Sequence, residues 1–314
     1  MINEIKKINL NHSFIFFLLS AIFSLITFKT DNFSISPLIC LLLILTIGVS
    51  HGSLDHIKGK KLLNILNIKK ISIFYFSYIF IAILVIVIWT VIPSISLIIF
   101  LIIASFHFGK EDTQFLINEN SYLNQLLFFF NVILIIIAPM FFHFNETVAI
   151  FKFLLVDNEI FYLTLGFIEN NKILPLGIIL STLSSIYLFL KEFEIKKLTI
   201  FLDYFSIIIL NYYLSPLIAF TIYFCFLHSI RHSITLVYEI DKNDFNNGLK
   251  IFVKKSLPLT ALTAILCLIA LYLLNNSYDL SSSILKIIFI GLASLTFPHI
   301  LLEYLLEKNE KQRN

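Results

Sequence analysis

Apolar runs of about 17–25 residues recur along the chain, each long enough to cross about 30 Å of hydrocarbon as a helix. The runs are continuous and lack the period-two alternation of barrel strands, so they predict helices. Bounded by charged residues, they predict ten spans at approximately 13–28, 35–57, 71–92, 94–109, 122–143, 173–190, 199–213, 216–238, 257–275 and 283–306, within a range of 8–10. The stretch 147–168 is apolar in places but carries Lys152, Asp157 and Glu159, and reads as an extracytoplasmic loop or interfacial segment. Pro93-Ser94 and Ser215-Pro216 mark tight turns. The fold class expected is therefore all-α, a polytopic transmembrane helix bundle. It forms a single integral membrane domain over residues 1–314, with cytoplasmic tails at about 1–12 and 307–314.

Lys6 and Lys7 before the first apolar run imitate a signal peptide. No small-residue cleavage site precedes Lys29-Thr30-Asp31-Asn32, so the run reads as a retained first span. Charge then orients the bundle. With ten spans, eighteen of the 23 Lys and Arg fall in segments on the side of both termini. Only Lys29, Lys152 and Lys172 fall on the other side, with Arg231 and Lys286 inside spans. The asymmetry places both termini in the cytoplasm, as expected of a multi-pass protein of the inner (plasma) membrane. It also accounts for the net charge of +3 without invoking nucleic acid.

Composition agrees, with 58% hydrophobic and 14% charged residues against roughly 25% charged in soluble domains. Cys40, Cys225 and Cys267 lie singly in apolar runs, with no C-x-x-C pair to suggest a disulfide framework or zinc ribbon.

The histidines carry the chemistry. His12 and His143 sit at span ends, whereas His51, His56, His107, His228, His232 and His299 lie on the second, fourth, eighth and tenth predicted spans. At about 1.5 Å rise per residue, all of these except His56 come out roughly 18–24 Å below the outer boundary. His56 lies about 7 Å lower. Ionisable groups inside a bilayer are costly and face a bundle interior or cavity, so five at one depth on four helices suggest a shared ligand. His228-Ser229-Ile230-Arg231-His232 sets two imidazoles one turn apart on one helical face, a bidentate metal geometry. The glutamate of H-E-x-x-H is missing, which disfavours a zinc hydrolase and favours redox or oxygen chemistry. Two other readings stay open at this point: a histidine-ligated (haem) membrane redox protein, and a transporter with a proton-relay histidine cluster.

His51-Gly52-Ser53-Leu54-Asp55, Phe106-His107-Phe108-Gly109, His228-Ser229-Ile230-Arg231-His232 and Pro298-His299 occur in that order. Together they resemble the Brp/Blh family of membrane β-carotene 15,15′-dioxygenases over about residues 45–300. The resemblance implies cleavage of the central double bond of β-carotene by O₂, giving two all-trans-retinal at a non-haem Fe(II). The retinal would serve a microbial rhodopsin. Matched motif by motif, it implies His51, His107, His228 and His232 as metal ligands. His299 is expected to stand behind them or against substrate, Asp55 to orient an imidazole or end a helix, and Asp112 to orient an imidazole, with a solvated loop carboxylate as the other reading of Asp112. Ser50 stands where many relatives have Pro, which should alter the helix end more than the ligand. Phe74, Tyr75, Phe106, Phe108, Tyr223, Phe224 and Phe226 are candidates to line a polyene channel.

Overall fold

A computed structural model describes residues 2–28, 35–113, 116, 122–191 and 193–311, and among these every regular element is helical. The first helix, α1 (Ile2–Phe28), buries Asn9, Ser13, Phe16, Ser20, Ser24 and Thr27, a stripe stepping by three and four residues. Small side chains on that face let α1 lie closely along a later helix, α11 (Leu198–Tyr213).

Next, α2 (Pro37–Leu43) starts where the Ser36 hydroxyl accepts from the Leu38 amide at 3.3 Å. It passes into a π-helical turn, Ile44–Gly48, then a 3₁₀ turn, Gly52–Leu54, and α3 (Asp55–Ile65). The predicted second span is thus broken, bent by 40° between Gly48 and Gly52. Beyond it, α4 (Ser72–Val91) and α5 (Pro93–Thr113) meet at the expected proline turn, and α5 runs four residues past its predicted end. The run 122–142 forms α6 (Tyr122–Val132) and α7 (Leu134–Phe142). The segment read as a loop or interfacial stretch is helical, as α8 (Phe144–Phe153) and α9 (Glu159–Asn170). The Asn158 side chain caps α9 by accepting from the Phe161 amide at 2.9 Å. α10 (Leu174–Leu190) turns from α9 by 69°. After α11 come α12 (Pro216–Ile222), a π-helical stretch at Tyr223–Ser229, and α13 (Ile230–Ile240). Two long helices close the chain, α14 (Phe245–Leu274) and α15 (Leu280–Lys311).

Among the described residues seven helices are long and apolar enough to cross a membrane, or nine if each bent pair counts as one span. The remaining predicted span falls on α11, whose 16 residues rise only about 24 Å. The exposed apolar surface identifies the solvent. α14 has none of its most apolar window buried and α4 only 6%, and Phe76 is 76% exposed. Such surface in water would be an aggregation site, whereas lipid accepts it.

Ion pairs gather one end of the bundle. Lys58 meets Glu303 at 2.6 Å, Lys61 meets Glu310 at 2.6 Å, and Lys110 meets Glu307 at 2.7 Å, joining the ends of α3, α5 and α15. Lys6 and Glu194, 3.5 Å apart, join two further segments expected on the cytoplasmic side.

Candidate metal centre

Two irregular helices meet to build the core of the site. His51 occupies the break between the π-helical turn and the 3₁₀ turn, and His228 lies in the π-helical stretch Tyr223–Ser229. π-Turns re-aim side chains within a helix and concentrate at functional sites. Gly48 makes their contact possible: a Cβ there would stand 2.6 Å from the Phe224 ring. The Ser229 hydroxyl donates to the Gly48 carbonyl at 2.9 Å, tying the two distortions together. His12 is a further tie, its Nε2 lying 2.9 Å from the Phe226 carbonyl oxygen.

His107 comes from α5, and Gly109 lets α6 press against that helix, since a Cβ there would sit 2.5 Å from the Phe128 carbonyl oxygen. His299 comes from α15, directly after Pro298 inside the helix. Proline removes one helical N–H and loosens the ladder there.

Five histidines converge. Ring centroids lie 5.5 Å apart for His51 and His228, 5.0 Å for His51 and His232, and 5.9 Å for His51 and His299. His107 stands 6.0 Å from His228 and 5.2 Å from His299. His228 and His232 stack with planes 13° apart, as residues one turn apart on a helix do. All five are buried. Among the described residues His107, His299 and Glu303 place their ligand atoms within 4.8 Å of one another. His56 is set apart, bonded through Nδ1 to the Ser53 carbonyl at 2.9 Å, and His143 lies 3.6 Å from Glu146.

Behind the rings stands a layer of carboxylates. His228 Nδ1 meets Asp112 at 3.1 Å, His232 Nδ1 meets Glu111 at 3.1 Å, and His299 Nδ1 meets Asp55 at 2.8 Å. Asp112 is buried, so it is no solvated loop group. Its other oxygen accepts from the Tyr223 hydroxyl at 2.7 Å, and Tyr78 donates to Asp55 at 2.8 Å. Arg231, 1% exposed, donates to Asp203 at 2.7 and 3.1 Å, to Ser13 at 2.6 Å and to the Asp112 carbonyl at 3.2 Å. Sequence reasoning passed over Glu111 and Asp203. Glu111 was legible in principle, being one turn beyond His107, whereas nothing in the sequence brings α11 to Arg231.

The arrangement fits a divalent cation. Nε2 of His228, His232 and His299 and Nδ1 of His51 are buried without a hydrogen-bond partner. Leaving a buried polar atom unsatisfied costs about 1–3 kcal/mol, so four on neighbouring rings call for partners, although among the described residues only His107, His299 and Glu303 bring ligand atoms within 4.8 Å of one another. Asp55, Glu111, Asp112, Asp203 and Glu303 outweigh Arg231 and Lys58 in charge, which a bound cation would balance.

Aromatic rings cover the cluster on one side. Phe108 packs 4.4 Å from His228, centroid to centroid, and Phe224 stacks on His228 at 5.9 Å and Phe220 at 5.6 Å. Phe106, by contrast, is 37% exposed on the outside of α5. Beyond Phe108 lies a cavity of about 80 Å³ lined by Phe100, Ala104, Ile136, Phe151, Phe220 and Phe289 among others. Its lining is apolar apart from Ser105 and Thr147, and the Thr147 hydroxyl is committed to the carbonyls of Pro139 and His143.

No solved structure matches the chain. A curated protein of uncultured marine bacterium 66A03, named beta-carotene 15,15′-dioxygenase, is 27% identical over 269 residues, covering 83% of this chain and 90% of that protein. The family described as beta-carotene 15,15′-dioxygenase matches residues 42–307, a stretch that takes in all five clustered histidines and the acids behind them, and the chain belongs to that family.

Proposed function

We propose that this protein cleaves the central 15,15′ double bond of β-carotene with O₂, releasing two molecules of all-trans-retinal, at a non-haem Fe(II) held by His51, His107, His228 and His232. The observation that carries this reading is the buried histidine cluster, in which His51, His228 and His232 each keep a ring nitrogen without a hydrogen-bond partner, within a chain of the dioxygenase family. The reaction balances without a further reductant, since both oxygen atoms of O₂ end in the two aldehydes. Ferrous iron, when bound, supplies the oxygen chemistry that imidazoles and carboxylates lack.

The residues of the chain do the rest. Asp112 and Glu111 accept the Nδ1 protons of His228 and His232, which leaves each Nε2 lone pair aimed inward. Tyr223 and Arg231 in turn fix Asp112, so the imidazoles are set before any ligand arrives. Phe108 and Phe224 cover one side of the cluster and offer flat apolar faces to a polyene. A carotene partitions into lipid, and a centre reached from within the bilayer suits both substrate and product. The retinal would be available there to a microbial rhodopsin in the inner membrane.

Cells that make β-carotene and this protein should lose their orange colour and accumulate retinal only with oxygen and iron present. His51→Ala, His107→Ala, His228→Ala or His232→Ala should abolish cleavage and lower iron content, with His143→Ala as the silent control. Unchanged β-carotene beside a correctly inserted, iron-loaded protein would return the transporter reading to first place, and a Soret band would support haem.

A further inference from the structure

We propose that His299 is itself a donor to the metal, held for that role by Asp55; this rests on the metal-dependent reading above. His299 repeats two features of His228 and His232, a carboxylate at Nδ1 and an unpartnered Nε2. Its Nδ1 meets a buried carboxylate, Asp55, at 2.8 Å. Its Nε2 is buried without a hydrogen-bond partner. Its ring lies 5.2 Å from His107, 5.9 Å from His51 and 6.0 Å from His232, at the spacing those rings keep among themselves.

The competing role is an ion pair, with His299 charged between two acids. Glu303 is the other acid, its Oε1 3.6 Å from His299 Nε2 and beyond hydrogen-bond range. That same oxygen is taken by Lys58 at 2.6 Å, which leaves the Nε2 of His299 without a hydrogen-bond partner. Asp55 is already bonded by Tyr78, so its position does not depend on His299. Tyr78 also donates to the Leu295 carbonyl at 3.3 Å, one turn before His299 on α15. The Asp55–Tyr78 pair therefore fixes both the ring and its helix. Asp55 lies four residues after His51 on the chain, so one short segment supplies a cluster imidazole and positions the ring opposite.

The test is cobalt binding by the purified full-length protein in micelles, because the visible spectrum of Co(II) reports its donors without turnover. His299→Ala should weaken cobalt binding at least about tenfold and alter the spectrum, and added imidazole should restore the spectrum. Asp55→Asn should weaken binding about 10–100-fold yet reach the unaltered spectrum at saturation, as expected of a positioning residue. Unchanged affinity and spectrum in His299→Ala would overturn the proposal, as would a change that imidazole does not reverse. Should His299→Ala fail to accumulate, undiminished affinity in Asp55→Asn overturns it alone. His228→Ala, run in parallel, separates the two levels. If it loses cobalt while His299→Ala does not, only the role of His299 is wrong. If cobalt binding ignores both, the metal-dependent reading fails with it.

Discussion

His228 and Asp112 meet at 3.1 Å across 116 residues of sequence, and that contact joins the π-distorted helix to the last turn of α5. The neighbouring Glu111 makes the same contact with His232. Two consecutive acids on one helix therefore set two imidazoles one turn apart on another. The match is geometric, because residues 111 and 112 point in directions about 100° apart around α5 and reach rings at two levels.

Replacing either acid by its amide should leave the fold intact and loosen the ring it holds. For Asp112→Asn and Glu111→Gln the expected loss in iron affinity is about 10–100-fold each, measured as retained iron after dialysis against a chelator. The double variant should lose more than either single one, since the two acids act on separate imidazoles. Iron retention at the wild-type level in both single variants would reduce the carboxylates to packing groups.

Arg231 carries a structural prediction independent of any metal. Its guanidinium is buried and bidentate to Asp203, which ties α13 to α11, while Ser13 extends the network to α1. Asp203→Ala would strand that charge, and breaking a buried pair by removing one partner costs about 3–5 kcal/mol. A correspondingly lower unfolding midpoint in micelles is expected, and a midpoint within error of wild type would show that solvent or lipid reaches Arg231.

Much of the site was legible in the order of the residues. Counting helical rise along four spans places His51, His107, His228, His232 and His299 at one depth, and these five converge. The count tolerates the break at His51 and the π-turn at His228 because each shifts a residue by less than a turn. The distortions themselves were not legible. They depend on Gly48 admitting Phe224, a contact between elements about 175 residues apart on the chain. Asp203 escaped for the same reason. The span count was legible only in part, since a 16-residue α11 and a helix broken at His51 read as ordinary apolar runs.

The ion pairs at one end of the bundle and the charge asymmetry together predict a topology. Reporter fusions after Lys61 and Lys255 should behave as cytoplasmic, and fusions near Asn276 as external. Lys61 meets Glu310 at 2.6 Å, so the segments after α2 and at the end of α15 share a face. An external signal at Lys61 would reverse the orientation of both.

The position of Phe108 bears on where a polyene is cut. Its ring packs against His228 on one side and lines the apolar cavity on the other, so it separates the histidine cluster from the space beyond. The cavity holds about 80 Å³, less than the roughly 150 Å³ of an apolar void that admits benzene. On the proposed reaction, Phe108 would limit how far a symmetric substrate slides past the histidines. Phe108→Leu keeps the side chain apolar and removes that barrier at a modest cost in stability. A pocket contact of this size discriminates by about 1–3 kcal/mol, or roughly 10–200-fold. The variant should therefore yield apocarotenals of unequal length beside retinal, resolved by chromatography of pigments extracted from β-carotene-producing cells. Its iron content should stay at the wild-type level, because no ligand has been touched. Retinal as the sole product, formed at an undiminished rate, would mean that the central bond is centred by some other wall of the site.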